Sequence, residues 1–164
     1  MSVERWIVAA VALLRLAELL YAGRNTRRLL ARGGIEIAPE HYPWFVALHA
    51  AWLLSLWFFV PAGATPNLCL LAVFLVAQAG RVWVITTLGV FWTTRVITLP
   101  DAPLVRRGPY ALMRHPNYAI VCIEIAVLPL AFGAWQIALV FSAANALLLA
   151  ARIRAENTAL DARR

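Results

Sequence analysis

Five apolar runs divide the chain, at about Trp6–Ala22, Tyr42–Val60, Asn67–Leu88, Asn117–Phe132 and Ala134–Ala151. A bilayer-crossing helix needs roughly 20 apolar residues at about 1.5 Å rise each, so every run reads as a span, the fourth a short one. Pro129 and Gly133 predict a tight hairpin between the fourth and fifth. The fifth continues past Ala151 as a polar helix. No internal repeat or low-complexity linker interrupts the pattern. Residues 1–164 therefore read as a single all-α integral membrane domain. Residues 1–88 hold three N-terminal spans; residues 89–164 hold a long loop, a helical hairpin and a C-terminal helix.

Composition strengthens this reading. The chain is 63% apolar and 14% charged, against about 45–50% and about 25% in soluble domains. Its formal charge is +7, and all 15 basic residues are arginine. The arginines lie between apolar runs, as cytoplasmic anchors do, and not as a nucleic-acid-binding patch. The first connection carries Arg24, Arg27, Arg28 and Arg32. The third carries Arg95, Arg106, Arg107 and Arg114, and the tail carries Arg152, Arg154, Arg163 and Arg164. The second connection and the hairpin carry none. This alternation predicts an external N-terminus and a cytoplasmic C-terminus, and the use of arginine without any lysine points to a bacterial chain and so to a bacterial inner membrane. Cys69 and Cys122 lie in separate apolar runs and read as buried free thiols. The first run lacks a small-residue cleavage pattern and does not read as a signal peptide.

Ionisable residues inside spans are costly and point to function by default. Arg15 and Glu18, three apart, share a face of span one, either as a self-neutralising pair or as part of a site. Gln78 and Arg81 share a face of span three, with Arg81 close enough to the end to snorkel. Glu124 has no local partner and calls for an arginine from another helix. Asn145, Arg152 and Glu156 fall within about 40° of one another around the last helix. Such a row could hold a zwitterion or stand as a solvated Arg/Glu pair. The histidines show no metal-ligand spacing, and the chain has neither a dinucleotide fingerprint nor a phosphate loop.

The stretch RRGPYALMRHPNYAI, Arg106–Ile120, is the most polar and most punctuated part of the chain. Gly108-Pro109 predicts a turn. Pro116 biases His115 toward extended backbone and suits the first turn of a helix. The free amides at that helix start favour an anion. Tyr110 and Tyr118 add aromatic faces and hydroxyls at the interface, where tyrosine is also an ordinary belt residue.

GPYALMRHPNY, followed by a hairpin and then RIRAENTAL, resembles the isoprenylcysteine carboxyl methyltransferase family, with its Arg-His-Pro-x-Tyr motif and its acidic motif after a helical hairpin. The resemblance covers roughly Arg95–Leu160. It implies S-adenosyl-L-methionine bound in a cytoplasmic-side pocket. By motif, Arg95, Ala102, Pro103, Leu104, Val105, Tyr110, His115, Pro116, Asn117, Tyr118 and Glu156 would form the cofactor site, and Arg152 would stand beside the methyl acceptor. One departure is visible: Glu156 stands between Ala155 and Asn157, where the family carries adjacent glutamates.

The function so implied is O-methylation of a lipophilic small molecule or a prenylcysteine-like carboxylate within the membrane. A carboxylate arrives ionised and needs no base; a phenol or enol gains from one. Two other classes stay open on the residues alone: an NADPH-dependent reductase of the sterol-reductase type, and a non-catalytic scaffold or transporter.

Overall fold

The computed structural model describes residues 2–99 and 105–161. The elements run α1 (Val3–Ala31), β1 (Ile35–Ile37), α2 (Tyr42–Phe59), α3 (Leu68–Leu88), β2 (Val96–Thr98), α4 (Pro109–Leu112), α5 (Pro116–Ala131) and α6 (Trp135–Asp161). Four helices, those containing α1, α2, α3 and α6, are long and apolar enough to cross a membrane, and α5 is a shorter apolar helix of 16 residues. The chain is a mostly helical integral membrane protein. Its outward side chains agree: Leu13, Leu20, Phe58, Val76 and Leu147 are exposed on four different helices. In water such a surface would be an aggregation hazard; in lipid it costs nothing.

α1 is longer than its apolar run. It carries straight through Arg24, Arg27 and Arg28, because arginine and leucine are good helix formers and nothing breaks the ladder before Gly33. α5 lies between α3 and α6, and α2 packs on α6. The core between them holds Val8, Leu48, Trp52, Leu56, Ile125 and Leu128.

The hairpin predicted at Gly133 is present. Gly133 takes φ +72°, and the amides of Phe132, Gly133 and Ala134 close back on the carbonyls of Pro129 and Leu130 at 2.9–3.0 Å. A left-handed glycine after a helix satisfies its orphan carbonyls this way. Two readings need correction. Cys69 and Cys122 are free thiols but exposed, at the apolar periphery and not in the core. The fold is also not purely α. β1 and β2 pair antiparallel, Glu36 opposite Ile97. Strands of three residues are too short to show alternation.

Asn25 is the buried link between α1 and the loop leading to β2. It is fully buried, and its Nδ2 donates to the carbonyls of Gly89 at 3.1 Å and Trp92 at 2.9 Å. Trp92 in turn stacks on Tyr21, with centroids 5.9 Å apart. Asn25→Ala leaves the buried Trp92 carbonyl without this donor, while the Gly89 carbonyl keeps the Trp92 amide at 3.1 Å, and is expected to cost about 1–3 kcal/mol. Thermal unfolding in detergent micelles would read this as a lowered Tm, and an unchanged Tm would show that the link contributes nothing.

Candidate functional site

A cavity of about 450 Å³ opens among α1, α2, the 88–97 segment, α4, α5 and α6. That volume lies in the range of small-molecule sites. Arg95, Tyr110, His115, Asn117, Tyr118, Arg152 and Glu156 all line it. Seven of the residues singled out from the sequence thus converge on one space. Pro116 is buried at the start of α5 without lining the cavity, and Val105 does not line it either. Ala102, Pro103 and Leu104 lie outside the described residues.

Local sequence explains the convergence. Gly108 adopts φ +57°, and a Cβ there would come within 2.7 Å of Thr87 Oγ1 on α3. Only glycine lets the chain turn this close to α3. Pro109 then starts the one-turn α4, which carries Tyr110 to the cavity wall. Pro116 starts α5 with His115 in non-helical backbone (φ −129°, ψ 61°). His115 stacks on Tyr118, centroids 5.2 Å apart and planes 17° from parallel. The hairpin returns α6 so that Arg152 and Glu156 face this stack.

The polar groups form a chain of contacts. Tyr118 donates its hydroxyl hydrogen to Glu156 Oε2 at 2.5 Å and accepts from Arg152 Nε at 3.1 Å. Arg152 Nη2 donates to the Thr94 carbonyl at 2.7 Å. The guanidinium carbon sits 4.9 Å above the Phe45 ring. Arg152 is 8% exposed, and its Nη1 makes no hydrogen bond among the described residues. His115 Nδ1 lies 3.8 Å from Glu156 Oε2, and its Nε2 lies 3.3 Å from Asn157 Oδ1. The asparagine that departs from the family pattern therefore meets the motif histidine. Burial first, and then the negative charge of Glu156, push the Tyr110 hydroxyl above its ordinary range. Tyr110 thus stays a neutral phenol, a donor and not a base.

Arg95 is held at the cavity wall by its own partners. Nη1 donates to both oxygens of Glu36, at 2.8 and 3.0 Å, and the guanidinium lies 4.1 Å over the Tyr42 ring. Asn145 does not join the Arg152–Glu156 row as a cavity group. It is buried, and its Nδ2 points to Cys122 Sγ on α5 at 3.5 Å. A shared helix face need not face a shared space: α5 meets this face at Asn145, and the cavity opens beside it only at Arg152 and Glu156.

The charged residues inside the spans also converge. Glu124 is bound by Arg81, whose Nε donates to Oε1 at 2.9 Å and whose Nη2 reaches Oε2. Arg15 approaches Glu124 at 3.4 Å, Glu18 at 2.9 Å and Gln78 Oε1 at 3.0 Å. Arg81 closes the ring to Glu18 at 3.5 Å. Arg81 is 5% exposed and does not snorkel. Arg15, Glu18 and Arg81 line the deeper wall of the same cavity, as does His49. His49 and Phe45 escaped sequence reasoning, although their spacing of four residues on α2 was a visible sign of a shared face. Glu36 and the Thr94 carbonyl carried no comparable sign.

Comparison with known proteins bears on the family. Residues 70–162 match the model of the isoprenylcysteine carboxyl methyltransferase (ICMT) family. Two bacterial proteins are similar along nearly the whole chain. The uncharacterised protein YpbQ of Bacillus subtilis is 38% identical over 161 residues, 95% of this chain and 96% of that one. An uncharacterised protein of Haemophilus influenzae is 28% identical over 93% of this chain and 92% of its own. No solved structure matches. The matched region spans most of α3 through all of α6 and contains His115, Tyr118, Arg152 and Glu156. The chain belongs to the isoprenylcysteine carboxyl methyltransferase family, and with it to the S-adenosylmethionine-dependent methyltransferases of lipophilic substrates.

Proposed function

We propose that the chain is an O-methyltransferase whose cavity holds the cofactor at its polar end and a lipophilic acceptor at its apolar end. The observation that carries this is Arg152: two hydrogen bonds orient it, and its Nη1 has no hydrogen-bond partner among the described residues on a side chain that lines the cavity. The residues present suit S-adenosylmethionine. Glu156 offers a carboxylate for an ammonium or ribose hydroxyls, the His115–Tyr118 stack offers an aromatic face, and the Tyr110 phenol offers a donor. Arg95 and Asn117, which line the same cavity, complete the cofactor side of this reading. When bound, the cofactor supplies an electrophilic methyl group on a sulfonium sulfur.

The chain's own groups then position and exclude. Arg152 holds the acceptor oxygen as an anion through its free nitrogen. Tyr118 locks Arg152 and Glu156 into one hydrogen-bonded unit, so cofactor side and acceptor side are set relative to each other. Holding two reactants in line supplies up to roughly 7–11 kcal/mol of barrier reduction in ideal cases. Leu16, Leu19, Val46 and Leu53 line the apolar part of the cavity, keep water out and seat the lipid portion of the acceptor.

The same reading sets topology. α5, at about 24 Å by its residue count, crosses as a fifth and short span with the hairpin at the external face. The N-terminus is outside, and the site lies at the cytoplasmic face of a bacterial inner membrane. A reporter fused to the C-terminus should report the cytoplasm. For the activity, calorimetry should show S-adenosylhomocysteine binding and no NADPH binding. Labelled methyl groups should pass from the cofactor to a component of a membrane lipid extract. Binding of NADPH alone would overturn the methyltransferase reading.

A further inference from the structure

The cavity does not stop at Arg152. Its deeper wall contains Arg15, Glu18, Arg81 and His49, where a purely aliphatic acceptor tail would need only apolar neighbours. Charges at such depth persist when they are paired. Here the pairing is complete. Arg15 and Arg81 face Glu18 and Glu124, and the formal sum is zero. A wall of this kind suits an uncharged polar group and offers no net attraction to an ion.

His49 sets which polar group. Its Nδ1 lies 2.9 Å from the Phe45 carbonyl. A carbonyl only accepts, so Nδ1 carries the proton, and the neutral ring presents Nε2 as an acceptor. Nε2 makes no hydrogen bond among the described residues, while the side chain lines the cavity. Phe45 carries the Arg152 guanidinium above its ring. His49, four residues on, therefore sits about one helical turn deeper, roughly 6 Å along α2.

We propose that His49, in one wall with the Arg15–Glu18 pair, is a second polar subsite that accepts a hydrogen bond from a hydroxyl of the acceptor. The hydroxyl lies about one helical turn from the oxygen held by Arg152. The acceptor class is then a lipophilic molecule with two oxygen functions at its head, not a chain with one. This rests on reading the cavity as the methyl-transfer site.

The probes are tetradecanoic acid and its derivative hydroxylated on the sixth carbon. Their dissociation constants would be measured in detergent micelles by competition with a brominated fatty acid that quenches tryptophan fluorescence. His49→Phe keeps the ring and loses the acceptor; His49→Gln keeps an acceptor near the Nε2 position. The ratio of affinities for hydroxylated over plain acid should fall about tenfold in His49→Phe, the loss expected when a buried hydroxyl loses its partner. His49→Gln should restore most of the ratio. S-adenosylhomocysteine binding by both variants certifies their fold. An unchanged ratio in His49→Phe overturns the proposal, as does failure of both acids to bind the wild-type chain. Failure of the wild-type chain to bind S-adenosylhomocysteine would instead sink the methyltransferase reading, and the affinity ratio would still decide His49.

Discussion

Replacing Arg81 by alanine should destabilise the protein by about 3–5 kcal/mol, because it leaves Glu124 buried beside Arg15 alone. Few single substitutions reach that size, and a domain's whole stability is only about 5–15 kcal/mol. Attraction alone does not account for the effect. Two charges withdrawn from water repay their desolvation only through good geometry, and the Arg81–Glu124 pair has it, with two nitrogens on two oxygens. Removing one partner keeps the desolvation of the other and discards the return. The double substitution Arg81→Met with Glu124→Leu removes both charges and should be far milder, near neutral. Thermal unfolding in micelles separates the cases. If the double variant melts as low as Arg81→Ala, packing and not charge pairing governs this region.

Arg152→Ala should lower kcat about 10²–10³-fold, the usual effect of removing one preorganised donor from a developing or held negative charge. Affinity for S-adenosylhomocysteine should change far less, because Glu156, His115 and Tyr110 remain. Arg152→Lys should rescue little. An ammonium cannot donate to the Tyr118 hydroxyl and the Thr94 carbonyl from one planar fork while keeping a nitrogen for the acceptor. Single-turnover methylation with labelled cofactor is the measurement. Wild-type kcat in Arg152→Ala would remove Arg152 from the acceptor site.

Much of this site was legible in the sequence because its parts are local. Gly108-Pro109 announces a turn wherever it stands, and the contact with Thr87 explains why glycine is required. Arg152 and Glu156 share a face by helical period alone. Glu124 demanded an arginine from another helix, and Arg81 supplies it. What stayed hidden depends on which helix meets which. Period places Asn145 on the Arg152 face, yet α5 covers that end and not the cavity. His49 showed no metal-ligand spacing and nothing more, because the charges that share its cavity wall come from α1 and α3. The β1–β2 pairing joins residues about 60 positions apart through strands too short to carry a pattern.

That small sheet has a consequence for how the family signature is understood. Residues 70–162 bear the motifs, but β1, Glu36, Phe45, His49 and Arg15 all precede them. The recognisable segment supplies one side of the cavity, and the N-terminal part supplies the other. The signature is thus not a transplantable cassette. A chimera joining the C-terminal part of one relative to the N-terminal helices of another would combine the motif-bearing cavity wall of the first with the facing wall of the second. Exchange across that seam is a route by which a lineage of such enzymes could change substrate while its signature motif stayed the same.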